Sequence, residues 1–404
     1  MSTTSDRPSP SDEPILPLCV PHLAGNEWDY VKECLDTNWV SSVGAYVDRF
    51  EADVAKVVEV NHAVATVNGT AALHTALMLA GVKPDDEVVI SSLTFIATAN
   101  AVHYTGARPV LIDAEPDHWQ MDPNLLNDFL SDQCEWKNGE LRNRTTGRRV
   151  SAVLPVHILG HPVDFDAIAE IAGRFELAII EDAAEAIGAK YKGRAVGSLG
   201  TIGCLSFNGN KVITTGGGGM IVTSDSQIAE RAKYLTTTAK DDAVEYIHGD
   251  VGYNYRMPNV LAAMGCAQLE QLDGFIQRKR SIAEWYREHL NDVPGIHLQC
   301  ESTEAFSTCW LSTVEVDEDV FGMNRKELRH SLLNANIQSR PFWQPMHQSP
   351  VYGREFSVLN GVSDRLYSNC LSLPSSVTLT HSDVQRVCSA IESATKRTNQ
   401  KDAA

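Results

Sequence analysis

The sequence is poor in basic residues and has no long apolar run. Lys and Arg number 34 against 52 Asp and Glu, which gives a formal net charge of −18. This deficit argues against nucleic acid as the main partner, because a nucleic-acid site needs a basic face. No apolar stretch is long enough to span a membrane, and the first fourteen residues carry no export signal. We therefore expect a cytoplasmic protein without a membrane partner.

Cysteine pairs are also missing. The nine cysteines are an odd number, and none forms a Cys-x-x-Cys spacing. Such a set is typical of reduced, mostly buried thiols in a cytosolic protein. We expect neither a disulfide framework nor a metal site.

Short apolar runs alternate with helical patterns along the first two thirds of the chain. The runs are near-continuous Val, Ile and Leu without polar alternation, which is typical of a mostly parallel sheet covered by helices on both faces. The pattern predicts an α/β fold with strands at 62–67, 87–91, 109–113, 151–156 and 177–181, followed by the segments GCLSFN and GMIVTS.

We predict a flexible tail at 1–16, a large domain at 17–265 and a smaller α+β domain at 266–404. Pro258 suits the first turn of a long helix, which we expect to run to about residue 285 and to join the domains.

A polar stretch at 131–150 interrupts the α/β pattern and indicates a surface insertion. It carries a cluster of arginines, which could either bind an anionic substrate or form a solvated face. These are Arg142, Arg144, Arg148 and Arg149.

Two segments place polar groups at strand ends. Residues 68–73, NGTAAL, put a glycine and Thr70 at a helix start, where free N–H groups and a hydroxyl bind phosphate. Thr70 could instead be only a helix cap.

Residues 180–185, IEDAAE, deliver Asp182 and Glu185 to the carboxyl end of a strand, where ligands bind in open α/β sheets. A carboxylate there can hold a protonated ring nitrogen, although acids are also common at helix starts.

The third segment is centred on one lysine. Lys211 lies in LSFNGNKVITT, which has no other charge, and four glycines follow at 216–219. A desolvated lysine can form a Schiff base with an aldehyde. A flexible surface turn and a nucleotide-phosphate loop are alternatives, but the P-loop pattern needs Gly-Lys-Ser/Thr after the glycines, and this chain lacks it. A phosphate site, a ring-nitrogen partner and an amine together predict pyridoxal 5′-phosphate (PLP) as cofactor.

The motifs GTAAL, TFIAT, EDAAEA, SFNGNK and GYNYRM resemble, in this order, those of the DegT/StrS-type sugar aminotransferases. The resemblance extends from about residue 17 to about residue 395. It implies the fold-type I architecture of aspartate aminotransferase, with a seven-stranded-type, mostly parallel sheet. Dehydratases in this group have His where this chain has Lys211, which favours transamination.

The resemblance also implies roles for individual residues. Lys211 would attach the cofactor and move the proton, Asp182 would pair with the ring nitrogen, and Glu185 would lie near the phenolic oxygen. Phe95 would stack on the ring. The remaining cofactor-binding residues would be Gly69, Thr70, Ala71, Ser206 and, from the neighbouring subunit of a homodimer, Asn254. The substrate-binding residues would be Trp39, Ser41, Ser42, His157 and Arg340, and the segment from Arg340 to Trp343 would lie at the substrate side.

Several of these residues have structural alternatives. Phe95, Trp39 and His157 could be core residues, Asn254 could belong to a turn, and Arg340 could pair with a surface acid. Cations for a nucleotide diphosphate could come from Arg256, Arg340 or Lys240.

The opening VPHLAGNEWDYVKECLDTNWVSSVGAYVDRFE, the insertion and SFNGNKVITTGGGGM are similar to one subgroup. Its members aminate C4 of UDP-linked 4-keto-6-deoxy-N-acetylated sugars, for legionaminic acid or bacillosamine-type surface glycans. Many relatives have Glu at the position of Gly217, so we expect a weaker analogy to perosamine-type enzymes. L-Glutamate would be the amino donor in a ping-pong reaction. The alternatives are the same chemistry on a GDP- or dTDP-linked keto sugar and a non-catalytic PLP-binding regulator.

Overall fold

The computed structural model describes residues 13–242 and 244–401, with side chains described to residue 395. The helices of this part of the chain are α1 (Glu27–Asp36), α2 (Ala45–Val58), α3 (Gly69–Leu79), α4 (Ile96–Tyr104), α5 (Pro123–Asp132), α6 (Phe165–Arg174), α7 (Ser226–Thr236), α8 (Asn259–Leu269), α9 (Leu272–Leu290), α10 (Glu318–Phe321), α11 (Arg325–Asn334), α12 (Val362–Asn369) and α13 (His381–Lys401).

The strands fall into one large sheet and several small ones. They are β1 (His62–Thr66), β2 (Glu87–Ser91), β3 (Arg108–Ile112), β4 (Cys134–Lys137), β5 (Glu140–Asn143), β6 (Val150–Leu154), β7 (Ala178–Asp182), β8 (Lys190–Tyr191), β9 (Arg194–Ala195), β10 (Ile202–Ser206), β11 (Gly219–Thr223), β12 (Lys240–Asp242), β13 (Ile247–His248), β14 (Ile296–Leu298), β15 (Ala305–Phe306), β16 (Thr313–Val316), β17 (Arg340–Pro341), β18 (Ser357–Val358) and β19 (Cys370–Ser372).

The large sheet has the order β1-β11-β10-β7-β6-β2-β3-β18. Its pairings are parallel except for those of β11, which runs antiparallel to both β1 and β10. The predicted α/β class is confirmed, and the seven strands expected from the apolar runs are all present. The eighth, β18, is a two-residue strand from the C-terminal part of the chain, too short to show an apolar run.

Helices cover both faces of this sheet, as the continuous apolar runs predict. Successive side chains of a strand point to opposite faces. In β2, Val88 and Ile90 pack into a cluster with residues of α3 and α4, whereas Val89 packs into a cluster with residues of α5 and α6.

The smaller domain is built on the antiparallel sheet β14-β16-β19-β17. Residues of α9, α11 and α13 share its apolar core. The predicted long helix after Pro258 is wrong in one respect: it is two helices, α8 and α9, separated by Glu270–Gln271. The chain then returns to the large sheet, where the Met346 N–H donates to the Ser92 carbonyl at 2.8 Å and β18 pairs with β3. The division at residue 265 therefore stays a prediction.

The end of the predicted tail is not loose. Leu16 is buried, its N–H donates to the Asn336 carbonyl at 2.8 Å, and its carbonyl accepts the Gln338 N–H at 2.9 Å. Residues 1–12 of the predicted tail lie outside the described residues.

The predicted insertion is a surface hairpin formed by β4 and β5. Each of its four arginines has a carboxylate partner, which supports the solvated alternative. The pairs are Arg142 with Glu140, Arg144 with Glu135, Arg148 with Glu87 and Arg149 with Asp86.

All nine cysteines lie within the described ranges and are unpaired. In the same part of the chain, no cluster of His, Cys, Asp and Glu has the composition of a metal site. No helix between residues 13 and 242 or between 244 and 401 is long and apolar enough to cross a membrane.

Candidate active site

Strands β1, β2, β6, β7 and β10 deliver their carboxyl ends to one cavity of about 310 Å³. This is the edge where ligands bind in open α/β sheets, and the volume suits a small ligand. The cavity is lined by Asn68, Gly69, Thr70, Leu73, Thr94, Phe95, Ala97, Thr98, Val156, Asp182, Ala184, Glu185, Ser206, Asn208, Asn210, Lys211, Gly217, Gly218, Trp310 and Trp343.

One end of the cavity is the N-terminus of α3. Asn68 caps this helix, because its side chain accepts the Ala71 N–H at 2.8 Å. Gly69 and Thr70 follow at the first positions, where backbone N–H groups have no partner within a helix. A Cβ on Gly69 would lie 2.9 Å from the Cβ of Ser206, at the end of β10. The absent side chain thus lets the start of α3 pack directly against β10, which brings its free N–H groups beside the Ser206 hydroxyl.

Asp182 ends β7 and is buried. Its Oδ2 accepts the Thr98 hydroxyl at 2.7 Å, and its Oδ1 accepts the Ala184 N–H at 3.2 Å. Burial raises the pKa of the Asp182 carboxyl, and these two donors and the Lys211 ammonium partly oppose that rise. A buried carboxylate that needs further positive charge is well suited to a protonated ring nitrogen.

Lys211 is carried on the loop between β10 and β11. The loop is closed by two bonds of Phe207, whose N–H donates to the Gly218 carbonyl at 2.8 Å and whose carbonyl accepts the Thr215 N–H at 3.0 Å. Val212 and Ile213 are buried and anchor the loop in the core. These contacts leave the Lys211 amine in the cavity.

The Lys211 amine lies between a carboxylate and an aromatic ring. Its Nζ is 3.3 Å from Oε1 of Glu185 and 4.1 Å from the centroid of the Trp310 ring. Burial raises the pKa of the Glu185 carboxyl, and the neighbouring Lys211 ammonium offsets part of this effect. The other oxygen of Glu185 accepts the Leu159 N–H at 2.8 Å. Glu185 therefore fixes the amine in one position.

The residues of the cavity fit PLP. The helix end with Gly69, Thr70 and Ser206 matches a phosphate, Asp182 matches a ring nitrogen, and Lys211 supplies the amine for an aldehyde. The fit rests on the close approach of the α3 start to Ser206, which the missing Gly69 side chain permits, and on the buried Asp182 carboxylate, two independent features of the fold.

The cavity brings together seven of the residues predicted from the sequence, namely Gly69, Thr70, Phe95, Asp182, Glu185, Ser206 and Lys211. Phe95 is half exposed into it, a position compatible with stacking on a ring. The specific role of each residue stays a prediction.

Two predicted site residues form hydrogen bonds within the protein instead. The Ala71 N–H is already donated to Asn68, so Ala71 has no free group for a phosphate. His157 is fully buried and does not line the cavity. Its Nδ1 accepts the Val163 N–H at 3.2 Å, which leaves the Nε2 proton for Glu181 at 3.0 Å. The expected substrate contact of His157 is therefore wrong, because both ring nitrogens are used within the core.

Five further predicted residues lie outside the cavity formed by this chain. Trp39, Ser41, Asn254 and Arg340 are exposed, and Ser42 is half-buried. Trp39 and Ser41 belong to the loop before α2, where their carbonyls accept the side-chain and main-chain N–H of Asn259 at 2.8 and 2.6 Å. A direct contact of these residues with the cofactor or substrate stays a prediction.

Two of the candidate cations for a diphosphate are engaged elsewhere. Arg256 is buried and paired with Glu51, and the Lys240 amine lies 5.0 Å from the centroid of the Tyr246 ring. Among the cavity-lining residues that the structure describes, Lys211 is the one cationic side chain.

Sequence reasoning missed Thr98 and Trp310. Thr98 lies in the motif TFIAT, and its place in the first turn of the helix that follows β2 was the available signal. Trp310 is 99 positions after Lys211, and no spacing rule connects them. Their proximity comes from the packing of the smaller domain on the large one.

The chain is similar to a large group of known proteins over nearly its full length. A model of the DegT/DnrJ/EryC1/StrS aminotransferase family matches residues 21–392. The chain belongs to this family. It is 39% identical to a GDP-perosamine synthase of Escherichia coli O157:H7, over 93% of this chain and 97% of the relative. It is also 39% identical to a GDP-perosamine synthase of Caulobacter vibrioides, over 95% of this chain and 99% of the relative.

A solved structure shows the same fold. It is DesI in the presence of its TDP-sugar product, with a TM-score of 0.86 and 29% identity, covering 98% of this chain and 96% of that chain. This DegT-family protein is thus a PLP-dependent aminotransferase of fold type I, as the motifs predicted. The expectation that Gly217 separates it from perosamine-type enzymes is wrong, since both relatives named above are GDP-perosamine synthases.

Proposed function

We propose that this aminotransferase moves the amino group of L-glutamate to C4 of a GDP-linked 4-keto-6-deoxy sugar. The observation that carries the proposal is the 39% identity to two GDP-perosamine synthases across almost the whole of each chain. A UDP-linked 4-keto-6-deoxy-N-acetylated sugar, the substrate implied by the sequence resemblance, is the rival. We further propose that the amino sugar is used for a surface polysaccharide, since a relative 32% identical is named for spore coat polysaccharide biosynthesis in Bacillus subtilis.

PLP, when bound, supplies an electron sink that allows an amino group and a proton to be exchanged at one carbon atom. The residues of the chain orient the reactants and move the proton. Asp182 offers a buried carboxylate whose oxygens are both held by hydrogen bonds. Lys211 is the one amine among the described side chains that line the cavity, and it would act as general acid and base. Glu185 holds that amine on the cavity side of the loop.

The sugar would occupy the end of the cavity next to Lys211. The Trp310 ring lies 4.1 Å from the Lys211 Nζ, and Trp343 lines the same cavity with its ring nearly parallel to that of Trp310, at a centroid distance of 6.2 Å. Flat apolar rings pack well against the carbon face of a sugar and against the methyl group of a 6-deoxy sugar. This wall supports a 6-deoxy substrate and does not discriminate between nucleotides.

A homodimer with shared active sites is part of the proposal. A nucleotide diphosphate needs more positive charge than the single lysine of this cavity provides. Large apolar side chains are exposed in two regions of the surface, which is unusual for a monomer. They are Trp28, Trp39 and Val43 in one region and Val244 and Val251 in the other. Asn254 is exposed next to the second region and is available to a neighbouring subunit.

The first test is the visible spectrum of the purified protein with PLP, before and after addition of L-glutamate. We expect a yellow band that fades with L-glutamate and is absent in Lys211→Ala. A band that persists with L-glutamate would reject L-glutamate as the amino donor and indicate a different donor.

The second test offers GDP-, UDP- and dTDP-linked 4-keto-6-deoxy sugars in competition, with the product identified by mass spectrometry. We expect the GDP-linked sugar to give the largest kcat/KM. Preference for the UDP-linked sugar would reject the proposed substrate and restore the rival.

A further inference from the structure

Trp310 holds the reactive lysine by two separate contacts. The ring centroid lies 4.1 Å from the Lys211 Nζ, a distance at which an aromatic face attracts an ammonium group. The indole N–H of the same residue donates to the carbonyl of Asn210 at 2.7 Å. One side chain thus fixes both the amine and the backbone immediately before it.

Both backbone polar groups of Trp310 are hydrogen-bonded in turn. Its N–H donates to the Leu159 carbonyl at 3.1 Å, and its carbonyl accepts the Lys279 Nζ at 2.9 Å. Leu159 also donates its N–H to Glu185, at 2.8 Å. Because Glu185 contacts Lys211, the two groups that hold the amine, Glu185 and Trp310, are connected to each other through the backbone of Leu159.

Lys279 is a second, buried lysine without a role in the chemistry described so far. It is 2% exposed. Its Nζ donates to the carbonyls of Trp310 and Ser375, each at 2.9 Å, and lies 3.8 Å from the Cys19 thiol. Burial lowers the pKa of the Lys279 amine. A buried amine is costly to a fold, and here it joins two segments of the smaller domain behind the tryptophan.

We propose that Trp310 is a positioning residue for Lys211 and that Lys279 positions Trp310. Four freely rotating side-chain torsions separate the amine from the backbone, and the amine must approach its target within a narrow geometry. Glu185 restrains it from one side and Trp310 from the other. The inference rests on Lys211 as the amine of a PLP-dependent aminotransferase, and it is independent of the proposed GDP-linked sugar.

The test compares Trp310→Phe and Trp310→Leu in the full-length protein. The readouts are the rate at which PLP-free protein attaches PLP, followed by visible absorbance, and the single-turnover rate with L-glutamate. Trp310→Leu removes both contacts, and we expect both rates to fall by about a hundredfold. Trp310→Phe keeps a ring face but loses the N–H donor, so we expect it to recover part of both rates. Trp136→Leu, on the half-exposed hairpin, is the matched control.

The expected pattern is a loss in rate constants with an unchanged half-saturation concentration for L-glutamate and an unchanged thermal midpoint for Trp310→Phe. Trp310→Leu with the attachment and turnover rates of Trp136→Leu would overturn the proposal. Neither readout uses a sugar, so failure of the GDP-sugar proposal does not affect the outcome.

Lys279→Met tests the second half of the inference, with Lys326→Met on the exposed face of α11 as its control. We expect Lys279→Met to reproduce the rate losses of Trp310→Phe, and Lys326→Met to react as the wild type does. A folded Lys279→Met protein with wild-type rates would refute the role of Lys279. If this variant does not fold, Trp310→Phe and Trp310→Leu still decide the role of Trp310.

Discussion

Removal of one hydroxyl group beside Asp182 is the sharpest test of the site. Thr98→Val keeps the shape of the side chain but deletes the O–H that donates to Asp182 Oδ2 at 2.7 Å. A hydrogen bond to a charged group contributes about 1.5–3 kcal/mol, which corresponds to a factor of about ten to a hundred in an equilibrium constant. Burial already raises the pKa of this carboxyl, and loss of the donor raises it further. Asp182 then holds a ring-nitrogen proton less well.

The assay is the dissociation constant of PLP, from titration of the PLP-free protein, together with kcat/KM for L-glutamate. We expect both to worsen by about ten- to a hundredfold in Thr98→Val. Thr236→Val is the matched control, because the buried Thr236 hydroxyl donates to the Ala232 carbonyl within α7 at 2.8 Å and does not line the cavity. Equal losses in the two variants, or no loss in Thr98→Val, would refute the assignment of Thr98 as the residue that tunes Asp182.

Three further predictions follow from the same geometry. Gly69→Ala places a Cβ 2.9 Å from the Ser206 Cβ, which pushes the start of α3 away from β10, so its PLP dissociation constant should rise at least tenfold. Gly173→Ala, a helical site with nothing within 4 Å of the added Cβ, should bind PLP as the wild type does. Burial raises the pKa of Asp182 above its usual 3.8, so the folded chain loses stability as pH rises from the unfolded to the folded pKa. Asp182→Asn should therefore raise the thermal midpoint of PLP-free protein at pH 8 but not at pH 3, and a lowered midpoint at pH 8 would contradict this reasoning. Arg142 and Arg144 are paired with carboxylates of their own hairpin, so their replacement by Gln should leave KM for the sugar unchanged, and a several-fold increase would show that the hairpin binds substrate.

The strands and the local motifs were accessible from the sequence alone. Runs of Val, Ile and Leu predict buried parallel strands because such strands meet apolar neighbours on both faces. The end of each strand is adjacent in sequence to the polar residue that it delivers. Gly69, Asp182 and Lys211 could therefore be assigned to one cavity, since parallel strands share a carboxyl edge.

Pattern reasoning failed where a group already had a partner elsewhere. His157 follows a buried strand, as a substrate-binding residue could, but its neighbours Val163 and Glu181 occupy both ring nitrogens. Ala71 was expected among the cofactor-binding residues, and its N–H is donated to the Asn68 cap. Hydrogen-bond partners are assigned by three-dimensional proximity, which residue type and spacing do not specify.

The sequence by itself determined the cofactor, the reactive lysine and the polar residues that follow the ends of the parallel strands. Each of these depends on residues that are close together along the chain. The tertiary structure alone decided what surrounds the amine. Trp310 and Lys279 come from segments roughly 70 to 100 positions away from Lys211, and Thr98 reaches Asp182 across 84 positions. Hydrophobic periodicity specifies that a side chain is buried and on which face. Only the tertiary packing, within the large domain for Thr98 and between the domains for Trp310, specifies which side chain it meets.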